Sequence, residues 1–490
     1  MNRIIFVLAM LISTSVFAQI PPQETIRNIE PAKEEVRENE DVSKEYAQTI
    51  TSTDLRQILT IIASDEMEGR ETASVGQKKA EAFIVSKLQS FGIKPIDKEG
   101  VTNGYLQTMP FTKEEWGEVA FMANDKEFKH LRDFYCFRSA NNHLPMTSAD
   151  EIVFLGYGID DEAYSDYKGV DVKGKVIMIL SGEPTKSNGK SWITDTKEPS
   201  TWTSNWKKKL GIAKDNGVKA ILVIDPDAGK NIGRYRRYLV EPSISVGAPS
   251  EDKIPVTNNF YISPDMARTL IGKNGKKLIR TRKKITKEGK PHSFTVPCSL
   301  SMTQKKKQEL IESTNIMAFI EGSDEVLKEE IVVISAHYDH LGKRGNDIYN
   351  GADDNGSGTT ALIELAQAYA KAAKDGNGPR RSVLLMWLTG EEKGLLGSEY
   401  YVNNPIFPLE NTIVDVNVDM IGRVDEKHAD NPKYIYVIGA DRLSTELHEI
   451  NEAANKKYTQ LKLDYTFNEE NDPNRYYYRS DHYNFAKLGI

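Results

Sequence analysis

The stretch Glu330–Gly358, EIVVISAHYDHLGKRGNDIYNGADDNGSG, decides the fold. Ile331, Val332, Val333 and Ile334 form a short apolar, β-branched run of the kind found in a parallel strand covered on both faces. His337, Asp339 and His340 follow at its carboxyl end. A glycine-bounded acidic turn, Gly351-Ala352-Asp353-Asp354-Asn355-Gly356, comes next, and helical spacing then predicts a helix over 357–373. Open α/β sheets gather their ligands at the carboxyl ends of strands, so chemistry is expected at these residues.

Working outward, the pattern alternates. Strands are expected at 315–320, 331–336, 382–388, 413–418 and 434–438, and helices at 357–373, 395–402 and 444–457. Such alternation means an α/β fold: a mostly parallel sheet with helices on both faces, in three layers. Ionisable residues recur at the ends of these strands: His337 and Asp339, then Asp353, then Glu391 and Glu392, then Asp419. A single Glu pair is ordinarily surface and a single His ordinarily structural. Their recurrence along one sheet edge is different, because carboxylates gathered closely repel one another unless cations neutralise them. Imidazole with carboxylate suits zinc. The pattern points to more than one ion, with a shared carboxylate spanning metals about 3.5–4 Å apart.

The 490 residues exceed one ordinary core, and a charged fraction of 28% with 39% hydrophobic residues describes a globular chain of two or three domains. A net charge of -7 gives no electrostatic case for nucleic acid. Residues 1–18 read as a signal peptide: Arg3, the apolar run Ile4–Ile12, and small residues up to Ala18. Export to the periplasm or outside the cell is therefore expected, with no retained membrane span. Residues 19–45 read as a charged, flexible leader. Helices are predicted from about Thr53, capped by Thr53 or Asp54, and from about 76 to 91, with the polar 64–70 stretch as a plain connection. Residues 46–149 and 291–490 flank a further stretch. Residues 150–290 form a separate β/α module with strands at 152–155, 176–180 and 220–224 and a helix over 206–216. The lysine runs 207–209 and 305–307 read as solvated surface. Cys136 and Cys298 allow at most one disulfide.

Four motifs in order carry a resemblance. Ala336-His337-Tyr338-Asp339-His340-Leu341-Gly342, Gly351–Gly358, Thr389-Gly390-Glu391-Glu392-Lys393-Gly394-Leu395-Leu396-Gly397-Ser398 and Val418-Asp419-Met420-Ile421-Gly422 resemble the co-catalytic zinc aminopeptidases of peptidase family M28. The likeness covers about 301–490, with 65–70 and the following helix similar to the family's amino-terminal part and 150–290 similar to an inserted protease-associated domain. It implies a peptidase acting on peptides or proteins with two zinc ions. His337 and Asp419 would hold one ion, Glu392 would contribute to the other, and Asp353 would bridge them. Glu391 would be the general base, Asp339 would orient His337, and the Asp353–Asp354 peptide would be cis. Arg479-Ser480-Asp481-His482 resembles a substrate-side motif, which makes Asp481 and His482 pocket residues rather than ligands. The family's remaining histidine ligand is expected beyond Ile490, so the chain as given reads as an incomplete copy whose activity would depend on that ligand. Carboxypeptidase or glutaminyl cyclase chemistry, and a catalytically silent binding scaffold, are the alternatives. Oligomeric state and preferred terminal residue are not legible.

Overall fold

The structure, a computed structural model, describes residues 41–98, 100, 102–250 and 254–490. The expected signal peptide and residues 19–40 of the expected leader lie outside the described residues. After a short helix at Ser43–Ala47, the amino-terminal part forms two longer helices, α1 (Ser52–Ile62) and α2 (Val75–Ser90). The cap of α1 is Thr51, not Thr53 or Asp54: its hydroxyl accepts from Asp54 N at 3.1 Å and lies 2.6 Å from the Asp54 carboxylate. Asp54 is thus in the third helical position, where a carboxylate answers the cap. Ser74 caps α2 through Gln77 N. Ile58, Ile62, Ala80, Ile84 and Leu88, the apolar stripes of these helices, are buried together against the sheet.

That sheet has 12 strands. Its long members are β1 (Leu106–Ala123), β2 (Leu144–Leu155), β3 (Val176–Leu180), β4 (Ala220–Ile224), β5 (Asn259–Ile262), β6 (Ser293–Ile320), β7 (Ile331–His337), β8 (Ser382–Leu388) and β9 (Thr412–Asn417). They lie in the order β9-β7-β8-β6-β2-β3-β4-β5, with β1 antiparallel to β6. The strands run parallel within β9-β7-β8 and within β2-β3-β4-β5. The antiparallel β6 joins the two sets, pairing with β8 at one end and β2 at the other.

The strand expected at 315–320 is therefore the tail of a 28-residue strand. Its middle is too polar to announce itself, because it forms an exposed ribbon with β1. There Lys305, Lys306 and Lys307 face Glu118, Glu114 and Glu115 at 2.7, 2.9 and 3.0 Å. The lysine run is thus one side of a cross-strand ladder of opposite charges. Tyr434–Tyr436, expected to continue the main sheet, pairs only with Lys462–Asp464 in a separate two-stranded sheet.

Helices cover both faces of β7 and β8, as sequence periodicity predicts, while β9 at the sheet edge leaves Ile413 and Val416 exposed. α1, α2 and α4 (Gly358–Lys374) pack on one face, and α5 (Leu396–Asn403) with Phe485 packs on the other. The second set of strands has its own apolar layers, covered in part by α3 (Gly275–Glu288). Cys136 and Cys298 are buried free thiols. Among the described residues no helix is long and apolar enough to cross a membrane.

Candidate metal centre

β7 delivers His337 to the sheet edge with its side chain 1% exposed. Thr359 Oγ1 donates to the His337 carbonyl at 2.9 Å, tying the strand end to α4. His337 Nδ1 lies 3.2 Å from the Asp339 carbonyl oxygen and 3.8 Å from the Asp339 carboxylate. That contact suits a protonated Nδ1, the form in which Nε2 can serve as a metal ligand. Asp339 is itself pinned, accepting from Thr72 Oγ1 at 2.7 Å and from Glu391 N at 3.2 Å. Nε2 of His337 faces three carboxylates: Asp354 Oδ1 at 3.3 Å, Asp419 Oδ1 at 3.5 Å and Glu391 Oε2 at 3.9 Å.

A second group adjoins the first. His340 Nδ1 lies 2.7 Å from Glu392 Oε1 and 3.9 Å from Asp354 Oδ1. One oxygen of Asp354 therefore stands between the two histidines, in the place expected for Asp353. Asp353 is brought into neither group: its Oδ1 accepts from Gly422 N at 2.8 Å, and its Oδ2 lies 3.8 Å from Arg423 Nε. Two adjacent acids in one turn look alike in sequence, and only the path of the loop decides which faces inward. The cis peptide likewise lies one bond beyond its expected position, at Asp354–Asn355.

The 64–70 connection holds that loop. Arg70, wholly buried, donates Nε to the Tyr338 carbonyl (2.9 Å), Nη1 to those of Ile62 (2.6 Å) and Asn350 (2.7 Å), and Nη2 to that of Gly351 (2.9 Å). Burial brings its pKa down to about 10, opposed by Asp339, Asp354 and Glu392. Gly351 has φ +59°, and a Cβ there would lie 2.4 Å from the Asp354 carbonyl and 2.5 Å from the His340 ring, so this turn requires glycine. Composition gave no sign of Arg70, because a buried arginine that binds only backbone leaves no partner residue to recognise.

The C-terminal motif supplies supports. Ser480 Oγ donates to Asp419 Oδ2 at 2.8 Å and accepts from Asn417 Nδ2 at 2.7 Å. Ser398 Oγ donates to Asp481 Oδ1 at 2.5 Å. His482 is half-buried beside the Tyr477 ring, 5.5 Å between centroids. It stands with neither group of converging ligands.

Charge is the unsolved problem of this cluster. Burial drives the Glu391 carboxyl up to about 9 and that of Asp481 to about 7. Burial opposes a charged His337, yet Asp419, Asp354 and Glu391 outweigh it and hold its pKa well above the ordinary value. His337 Nε2, His340 Nδ1, Glu392 Oε1 and Asp419 Oδ1 are all buried and meet no polar partner outside the cluster itself. Buried polar atoms left in this state call for an ion. Ligand atoms about 2.0–2.1 Å from a tetrahedral zinc stand about 3.3 Å from each other, close to the 3.3–3.5 Å that separate His337 from Asp354 and Asp419. The first group fits zinc as it stands. The 2.7 Å contact of His340 with Glu392 is a hydrogen-bond distance that an ion would widen. A cavity of about 290 Å³ opens beside the groups, lined by His340, Tyr349, Asp353, Asp354, Met420 and Arg423 among others.

Residues 315–490 match the model of peptidase family M28. An aminopeptidase of Bacillus subtilis is 32% identical over 26% of this chain and 25% of its own length. A probable leucine aminopeptidase of Trichophyton verrucosum is 34% identical over 22% of this chain and 30% of its own. A probable glutamate carboxypeptidase of Arabidopsis thaliana is 29% identical over 58% of this chain and 39% of its own. The chain thus spans well under half the length of these curated relatives. Among solved structures, an aminopeptidase from Aneurinibacillus sp. strain AM-1 aligns over 91% of this chain and 85% of its own with a TM-score of 0.49 at 16% identity.

Proposed function

We propose, since residues 315–490 match the model of peptidase family M28, that this chain is an exported zinc peptidase that removes amino-terminal residues from peptides, using two ions. The observation that carries the reading is the convergence of His337 Nε2, His340 Nδ1, Glu392 Oε1 and Asp419 Oδ1, buried and facing one another and Asp354. His337, Asp354 and Asp419 would hold one ion, and His340 and Glu392, with Asp354, would hold the second. Zinc bound there supplies a Lewis acid that acidifies water and polarises a scissile carbonyl.

Glu391 takes the proton from the attacking water and returns it to the leaving amine, for which its position across from His337 Nε2, 3.9 Å away, suits it. The Asp339 carbonyl fixes the His337 ring and Ser480 fixes Asp419, so neither ligand has to be ordered during the reaction. Release from the amino end follows the aminopeptidases of Bacillus subtilis and Trichophyton verrucosum that this chain is similar to. Export rests on the first 18 residues, and residues 150–290 act as a protease-associated module.

The test is hydrolysis of aminoacyl amides by the full chain, with zinc measured by elemental analysis. Activity should vanish on chelation and return with zinc at about two ions per chain. Glu391→Gln should lower kcat by about 10²–10⁴ with the zinc content unchanged. Chelator-resistant turnover, or full activity in Glu391→Gln, would refute the reading. The match to a probable glutamate carboxypeptidase makes release from the carboxyl end the second activity to assay, on amino-blocked peptides. Processing between Ala18 and Gln19, read from the amino-terminal sequence of the mature protein, tests export.

A further inference from the structure

A cavity of about 850 Å³ lies in the second half of the molecule, between α3, the helix Pro264–Ile271 and the ends of β3 and β4. This volume is within the range of small-ligand sites, about 300–1,000 Å³. Its apolar wall is built by Tyr157, Leu180, Trp192, Ile224, Leu278 and Ile279. Trp192 is fixed, because its Nε1 donates to the Thr286 carbonyl at 3.0 Å. The opposite edge offers hydrogen-bonding groups: Ser181, Ser187 and Asn188.

Charge sets the site apart. Lys186, Arg268, Arg282, Lys283 and Lys287 line the cavity, and no aspartate or glutamate does, in a chain whose net charge is -7. Lys186 is paired with Asp195 at 2.7 Å, and Arg268 with Asp265. Among the described residues no ion pair engages Arg282, Lys283 or Lys287. These three follow Leu278 and Ile279 at helical spacing along α3, so a single face of the helix presents apolar contact and then positive charge. A basic helix face that only meets water has no need of an apolar cavity beneath it.

We propose that this cavity binds the carboxyl end of a short apolar peptide: the free carboxylate on Arg282 and Lys283, the side chains on the Trp192–Ile279 wall, and the peptide groups on the Ser181–Asn188 edge. An unbranched fatty acid satisfies the cations and the wall equally. It leaves the polar edge without partners, a loss that a peptide does not suffer. The arginine offers a carboxylate two parallel N–H donors, which an amide cannot use in the same way. The inference does not depend on the peptidase reading, because the site lies outside the metal groups and binding can be measured without turnover.

The experiment is calorimetric titration of the full chain carrying Glu391→Gln with an amino-acetylated apolar tripeptide, its carboxyl-terminal amide, and decanoate. The acid should bind saturably and the amide at least about tenfold more weakly. Arg282→Gln with Lys283→Gln should weaken the acid by a similar factor while zinc content and melting temperature stay unchanged. Ile279→Glu, at a side chain 55% exposed and so neutral for folding, should abolish acid binding by placing a negative charge at the rim. No binding, equal binding of acid and amide, or indifference to both variants overturns the site. Tighter binding of decanoate than of the peptide overturns its assignment to peptides.

Discussion

The sheet contains two sets of parallel strands, and both turn their carboxyl ends toward buried acids, but only one set needs a cation. Beyond β4, Asp225 accepts from Tyr135 Oη at 2.8 Å, Asn231 Nδ2 at 2.9 Å and Asp227 N at 3.0 Å. Beyond β2, Asp166 accepts from Tyr157 N at 2.9 Å, Ile159 N at 3.2 Å and Tyr164 Oη at 2.8 Å. Each acid sits alone among donors and does structural work. Beyond β7, β8 and β9 the acids face each other and two imidazoles, and four buried ligand atoms of this cluster have no donor or acceptor outside it. Strand-end placement is therefore common to structure and chemistry. What separates them is whether protein donors complete the acid or leave it for an ion.

The comparison breaks first at Asp354. Asp354→Ala should cost both ions, with zinc per chain falling from about two toward none after dialysis. Asp353→Ala, whose side chain caps Gly422 N, should retain both with affinity reduced less than about 100-fold, the range for groups that support a ligand without binding metal. Elemental analysis of the pair decides, and the reverse order would return the bridging role to Asp353. Next is Arg70→Met, which leaves four carbonyls without their donor and should lower stability by about 3–5 kcal/mol in urea titration. A loss under 1 kcal/mol would mean that the 351–354 loop stands without it.

Asp166 sharpens the other side. Burial lifts its pKa to about 6 from 3.8. The folded state therefore holds the proton more tightly, so the stabilising contribution is complete below about pH 3.8 and is lost as pH rises through about 6. The stability of the wild type relative to Asp166→Asn should fall by up to about 3 kcal/mol between pH 4 and pH 7.5. A flat difference would show that its donors fully offset burial. The smallest effect belongs to the β1–β6 ladder. Lys306→Ala should cost about 0.2–1 kcal/mol, and less in high salt.

Much of both strand sets could be read because their signals are local. β3, β4 and β8 coincide with their expected apolar runs, and α2 and α4 fall within a residue or so of theirs. His337, Glu391, Glu392 and Asp419 do converge as their strand-end positions implied. What escaped was non-local or fell within a single turn. The polar centre of β6 is a strand only because β1 lies beside it, and Tyr434–Tyr436 left the main sheet for Lys462–Asp464. His340 was visible at the strand end but had no assigned partner until the loop brought Glu392 to it.

By itself, then, the sequence determined that strands alternate with helices here and that histidine and acids crowd one edge, because side-chain period and strand ends are written residue by residue. Only the tertiary structure decided that Asp354 faces inward while Asp353 turns to Gly422, and that Arg70 holds the loop that makes this so. Those outcomes depend on where carbonyls and donors from distant segments meet, and no spacing along the chain records that.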